Sequence, residues 1–127
     1  MRLLIDAHAF IWFVGGNKKL TRAARGAMEH GEAELYLSAA TVWEMAIKVS
    51  IGRLTLPSPA AEYVADKLRS GVRMLPVDWT HGAAVERLPF HHRDPFDRLL
   101  IAQAHAERMA VVTGDPIFRR YDVEVVW

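Results

Sequence analysis

The chain contains no cysteine in its 127 residues, which excludes a disulfide framework and any thiolate-bound metal. That absence suits a reducing compartment, and a cytoplasmic location is expected. No apolar run reaches the length that a bilayer span requires, so no membrane association is expected. The opening stretch MRLLIDAHAFIWFVGG places Arg2 before an apolar run, as a secretion signal would, yet Asp6 and His8 interrupt the run. Neither sign of charge dominates: 16 Lys and Arg against 15 Asp and Glu leave a formal net charge of +1. A nucleic-acid partner would therefore have to be held by a local basic patch or through metal ions, because the surface as a whole is not cationic. There is also no low-complexity tract, internal repeat or linker.

What is present is an ordinary globular composition, 51% hydrophobic and 24% charged. The length predicts one domain over residues 1–127 with a real core. Short apolar, β-branched segments at Leu3–Ile5, Glu34–Ser38, Met74–Val77, Ala110–Thr113 and Val123–Val126 predict five strands. Between them, helical patterns fall at about 7–14, 20–29, 39–51, 59–70, 80–87 and 95–108. This alternation predicts an α/β fold with a parallel sheet covered on both faces. The helix from Ala39 to Ile51 carries a stripe of Val42, Met45, Ala46 and Val49 beside a second of Trp43, Ile47 and Ile51. Apolar residues that wide around a helix are expected of one buried on both sides.

Ligands of open α/β sheets bind beyond the carboxyl ends of the strands. Four acids are placed to meet there. Asp6 closes the first strand, Glu44 lies early in the helix after the second, Asp97 opens the helix leading into the fourth, and Asp115 follows that strand in VVTGD. Each also has a purely structural explanation. Asp6 can cap the helix that begins near Ala7 and Asp115 a short turn, while Asp94 before Pro95 is a helix start that leaves Asp97 in the first turn, where negative charge favours the dipole. Thr41 to Glu44 matches a capping box, and Glu44 is spaced to pair with Lys48. Four such coincidences on one rim are harder to accept. Two carboxylates about 4 Å apart repel by roughly 4 kcal/mol at an effective dielectric near 20, so the group calls for cations. Oxygen donors suit Mg²⁺ or Mn²⁺ rather than zinc, and such ions favour hydrolysis of a phosphate ester.

Four blocks, LLIDAHAFIW, LSAATVWEMAIKVSIGRLTLP, HHRDPFDRLLIAQA and VVTGDPIF, in this order and spacing, resemble the PIN-domain family and in particular the VapC-type toxins of bacterial toxin-antitoxin pairs. The resemblance covers essentially the whole chain. It implies a three-layer α/β/α sandwich with strand order 3-2-1-4-5 and a Mg²⁺- or Mn²⁺-dependent endoribonuclease acting on RNA. It carries the catalytic and metal-binding acids onto Asp6, Glu44, Asp97 and Asp115, with Thr113 as a polar accessory. It also implies a homodimer neutralised by a small antitoxin whose tail covers the apolar surface around Trp12 and Trp43. One departure is Ala7, where many members carry Thr or Ser. Asp94 matches none of the family's acids and is expected only to cap.

Arg98, ahead of Arg93, Lys48 and Arg53, is the expected accessory contact to RNA phosphate. His91 and His92 are expected as neutral turn residues, and Trp12, Trp43, Trp79 and Trp127 as core or interface. Three other readings compete. A phospho-accepting receiver domain would need an adjacent acidic pair after the first strand. A haloacid-dehalogenase-type phosphatase would need Asp two residues after Asp6, where this chain has His8. A non-catalytic binding module could share the PIN fold.

Overall fold

The computed structural model describes residues Met1–Trp127. Five strands, β1 (Arg2–Ile5), β2 (Glu34–Ser38), β3 (Arg73–Leu75), β4 (Ala110–Val112) and β5 (Val125–Val126), form one sheet in the order β3-β2-β1-β4-β5. Every pairing is parallel, with Leu3 opposite both Leu35 and Ala110. This order departs from the 2-1-3-4-5 order of receiver-type sheets, so the receiver reading is set aside.

Because strand side chains alternate between faces, β1, buried from Leu3 to Ile5, supplies both halves of the core. Leu3 and Ile5, with Ala110 and Val112, face α1 (Ala7–Val14), α2 (Arg22–Glu29), α3 (Ala39–Ser50) and α4 (Ala60–Arg69) around Phe10, Met28, Met45 and Tyr63. Leu4 and Val111 face the other way, onto Leu100, Ile101 and Ala104 of α6 (Pro95–Glu107) and onto Phe118 and Tyr121. The short α5 (Trp79–Ala84) leans on α6 through His81, whose Nε2 lies 3.2 Å from Glu107. The three layers and the strand order are those the sequence implied.

Boundaries differ where a cap or a proline intervenes. Thr21 caps α2, so that helix starts at Arg22. The expected helix 80–87 is α5 followed by a 3₁₀ turn at Val85–Arg87, and β3 ends at Leu75, ahead of Pro76. The capping box expected at Thr41 does not form. Ser38 caps α3 by accepting from the Ala40 N–H at 3.1 Å, and Thr41 is buried inside the helix. The Ser38 hydroxyl also donates to the fully buried Gln103 at 2.6 Å, and Gln103 donates to the Pro76 carbonyl at 3.3 Å. One polar chain thus joins the carboxyl ends of β2 and β3 to the middle of α6, fixing where α3 and α6 stand relative to each other.

Nor is α3 buried on both sides. Trp43 is 63% exposed and Ile51 58% exposed, so its second apolar stripe faces outward. Trp79 is also exposed, whereas Trp12 and Trp127 are half-buried against the core.

Candidate functional site

The carboxyl edge of the sheet opens into a recess of about 150 Å³ lined by Asp6, Ala7, His8, Glu44, Lys48, Asp94, Asp97 and Asp115. All four acids expected to converge do so. Asp94, expected only as a cap, lines the recess too. A larger cavity of about 530 Å³, lined by Leu88, Ile101, His105, Tyr121 and Val123 among others, shares no residue with it.

Local structure explains how each acid reaches the rim. Asp6 leaves β1 with its N–H bonded to the Val112 carbonyl at 3.1 Å, and its Oδ1 caps α1 by accepting from the Ala9 N–H at 2.8 Å. Asp115 begins a 3₁₀ turn over Pro116–Arg120, accepting from the Ile117 N–H at 3.0 Å, while its own N–H donates to the Thr113 hydroxyl at 3.1 Å. Asp94 caps α6 by accepting from the N–H groups of Phe96 and Asp97 at 2.8 and 3.0 Å. That leaves the Asp97 side chain in the first turn, facing the recess. Glu44 projects from the middle of α3 and receives Lys48 Nζ at 3.0 Å, the expected pairing one helical turn on. Capping and lining the recess are therefore compatible. Asp6, Asp94 and Asp115 each do both.

Crowding perturbs the acids as electrostatics requires. Burial pushes the Asp6 carboxyl above its ordinary range, with Thr113, the Ala9 N–H and His8 acting against it. Asp97 rises from the ordinary 3.8 to about 7, first because it is buried and then because Asp94 and Glu44 are nearby, with His92 pulling the other way. A strongly perturbed acid in a cleft is what functional sites present.

His92 was missed by sequence reading. Its Nε2 lies 2.8 Å from Asp97 Oδ2 and 3.4 Å from Asp115 Oδ2, and potential ligand atoms of these three residues all lie within 4.8 Å of one another. Nothing in HHRDP separates His92 from His91. The distinction comes from the turn, where the Tyr121 hydroxyl accepts the N–H of both residues at 2.8 and 3.0 Å. The His91 ring then packs on Tyr121, while that of His92 reaches the acids.

Arg98 overturns an expectation. It is only 6% exposed, and its guanidinium donates to the carbonyls of Val85, Pro89 and His92 and to the Tyr121 hydroxyl, at 3.1 to 3.4 Å. It also lies over the Phe90 ring, 4.3 Å from the centroid. With both Nη groups bonded inward and no place on the lining of the acidic recess, it clamps the 85–92 segment. Lys48, on the recess wall, Arg53, beside it in a neighbouring recess with His8, and Lys19, in another recess with Asp6 and Asp115, are cations near the acids.

The donor set fits a hard divalent cation. It consists of carboxylate oxygens with one imidazole nitrogen alongside, and Lys48 is the one lysine or arginine among the residues lining the recess.

Comparison with known proteins agrees with this geometry. The PIN domain family model matches residues 3–124. Ribonuclease VapC16 of Mycobacterium tuberculosis (strain ATCC 25618 / H37Rv) is 46% identical over 50 residues, a match spanning 39% of this chain and only 36% of that protein. Ribonuclease VapC22 of the same organism is 29% identical over 120 residues, 94% of this chain and 91% of that protein. Among solved structures, VapBC2 from Rickettsia felis, bound to a DNA fragment from their promoter, superposes with a TM-score of 0.73 at 14% identity over 98% of this chain and 97% of that one. An identity that low speaks for the fold alone.

Proposed function

The chain belongs to the PIN domain family, and from that premise we propose that it is a divalent-metal-dependent endoribonuclease, the toxin of a toxin-antitoxin pair. The observation that carries the proposal is the convergence of Asp6, Glu44, Asp97 and Asp115 on one small recess, where their mutual repulsion has no purely structural use. The likeness to two proteins named ribonucleases supports the reaction, and the four-block resemblance to VapC-type toxins supports an antitoxin partner.

In this reading Asp6, Glu44, Asp97 and Asp115 hold Mg²⁺ or Mn²⁺, which would supply an activated water and Lewis-acid stabilisation of the phosphoryl oxygens. The protein's own groups hold that arrangement in place. His92 Nε2, between Asp97 and Asp115, fixes the orientation of both carboxylates. Thr113 accepts from the backbone of Asp115 and opposes the rise of the Asp6 pKa. Lys48 orients Glu44 and leaves a cation beside the recess for a substrate phosphate. Ala7 lines the recess without a hydroxyl, so that position adds no side-chain ligand.

The partners proposed are RNA, an antitoxin and a second copy of the chain, in the cytoplasm. No helix is long and apolar enough to cross a membrane. The exposed Trp43 and Val49 of α3, with Ile51 at its end, form the apolar surface offered to the antitoxin.

The test is incubation of the purified protein with mixed-sequence single-stranded RNA in Mg²⁺, in Mn²⁺ and in chelator. Cleavage with metal, its loss in chelator and its loss in Asp97→Asn are expected. Tight RNA binding with no cleavage under any condition would instead favour a non-catalytic module of the same fold.

A further inference from the structure

Beside the acids lies a second recess, of about 400 Å³, lined by Asp6, His8, Trp12, Lys19, Gly114, Asp115 and Trp127. It shares Asp6, His8 and Asp115 with the acidic recess, so the two are continuous. We propose that this recess is a nucleobase subsite, in which an unpaired base next to the cleaved phosphodiester stacks against Trp12 and Trp127 while Lys19 meets the backbone; this rests on the ribonuclease reading above.

Three observations support it. The apolar part of the lining is aromatic: Trp12 and Trp127 lie 6.0 Å apart and tilted by 49°, and the exposed His8 ring stacks on Trp12 at 5.5 Å. Every other lining residue is charged or polar, apart from Gly114. A base offers a π-face and a polar edge and suits rings bordered by polar groups. The position of Trp127 is also set by the loop that carries Asp115. A Cβ on Gly114 would lie 2.7 Å from the Trp127 ring, so only glycine lets the indole rest on the backbone between Thr113 and Asp115. Finally, the Lys19 ammonium lies 5.8 Å from the Trp12 ring centroid at the border of the recess. An aromatic floor with a cation beside it is how proteins hold single strands. Trp12 and Trp127 were expected in the core or an interface, and the core packing is found. Both are half-buried against the core, and both also line this recess.

The experiment compares two fluorescein-labelled probes, single-stranded octa-adenylate and an eight-residue abasic ribose-phosphate strand. Binding is followed by anisotropy in Ca²⁺ over a range of salt, and cleavage of mixed RNA in Mn²⁺ is measured in parallel. The wild type should prefer the strand with bases. Trp12→Leu and Trp127→Leu should each reduce that preference by about fivefold to a hundredfold with an unchanged salt slope, because stacking is lost and phosphate contacts are kept. Trp127→Leu stands in if Trp12→Leu fails to fold, since Trp127 lies outside the helices. Cleavage by the wild type, with a base preference that is absent or the same in a folded variant, would overturn the subsite and leave the nuclease intact, making the recess a candidate protein contact. A wild type that neither cleaves RNA nor binds either strand would overturn both.

Discussion

Asp97 and Arg98 are neighbours in the first turns of one helix, and their surroundings are opposite. Arg98 is buried with carbonyls, a hydroxyl and an aromatic face around its guanidinium. Asp97 shares a recess with three further acids besides its own cap, and burial and those charges push its pKa to about 7. A buried charge that serves the fold is held by hydrogen bonds. A charge that serves chemistry is left under-compensated, ready for a cation. The contrast between the clamp behind α6 and the recess in front of it separates a hydrogen-bonded charge from crowded ones, and the proposed function places the chemistry with the latter.

The largest expected effect breaks the recess and spares the clamp. Asp97→Asn or Asp6→Asn should lower RNA cleavage by more than about a hundredfold, beyond what losing an outer-shell partner of a metal costs, with the far-UV circular dichroism of the wild type retained. Unchanged cleavage rates would place the chemistry elsewhere.

Breaking the clamp should do the reverse. Arg98→Ala strips the partners from several buried carbonyls, at a cost of about 3–5 kcal/mol, on the order of 10 °C in melting temperature. Arg98→Lys should recover little of it, since an ammonium cannot reproduce the fork. A melting temperature within a degree or two of wild type would show that the clamp is not structural. Because the clamp holds the backbone of His92, any surviving Arg98→Ala protein should also bind Mn²⁺ more weakly by calorimetry.

A third effect depends on pH. In chelator the folded protein holds the Asp97 proton up to about pH 7, whereas the unfolded chain releases it near the ordinary 3.8. The folded state thus binds more protons across that window, and stability falls as pH rises from about 4 to 7. Asp97→Asn should therefore melt above wild type at pH 8 in chelator, by on the order of 2 kcal/mol, and the difference should vanish by pH 4. A variant that melts below wild type at pH 8 would make Asp97 a helix-start charge.

The smallest effect concerns Asp94. Asn caps nearly as well as Asp, so Asp94→Asn should keep most of the activity, and Asp94→Ala should lose about 1 kcal/mol of stability. Equal loss of cleavage in folded Asp94→Asn and Asp97→Asn would add Asp94 to the metal-binding acids.

Much of the recess was legible because strand ends and helix starts are local features. The acids closing LLID and VVTGD and the acid opening DPFD fall on the rim once the sheet is parallel. The clamp was not legible. Arg98 follows Asp97 directly, and only the return of Tyr121 and the turn at Pro89 reveals that it points inward. His92 is hidden for the same reason, since a turn held by the distant Tyr121 hydroxyl presents its ring, and not that of His91, to the acids. The outward stripe of α3 was misread because hydrophobic periodicity reports apolar faces without saying what covers them. The capping box at Thr41 failed to a nearer cap, Ser38, whose hydroxyl also serves Gln103 across the sheet.

The most direct test of an acidic recess built for a divalent cation is a thermal melt near neutral pH of wild type and Asp97→Asn, each in chelator and in millimolar Mn²⁺. An ion that binds only the folded state adds about 2.7 kcal/mol at a hundredfold excess over its Kd. The wild type should accordingly gain several degrees with Mn²⁺, and Asp97→Asn should start higher in chelator and gain less. A wild type indifferent to Mn²⁺, with Asp97→Asn melting below it in chelator, would contradict the account.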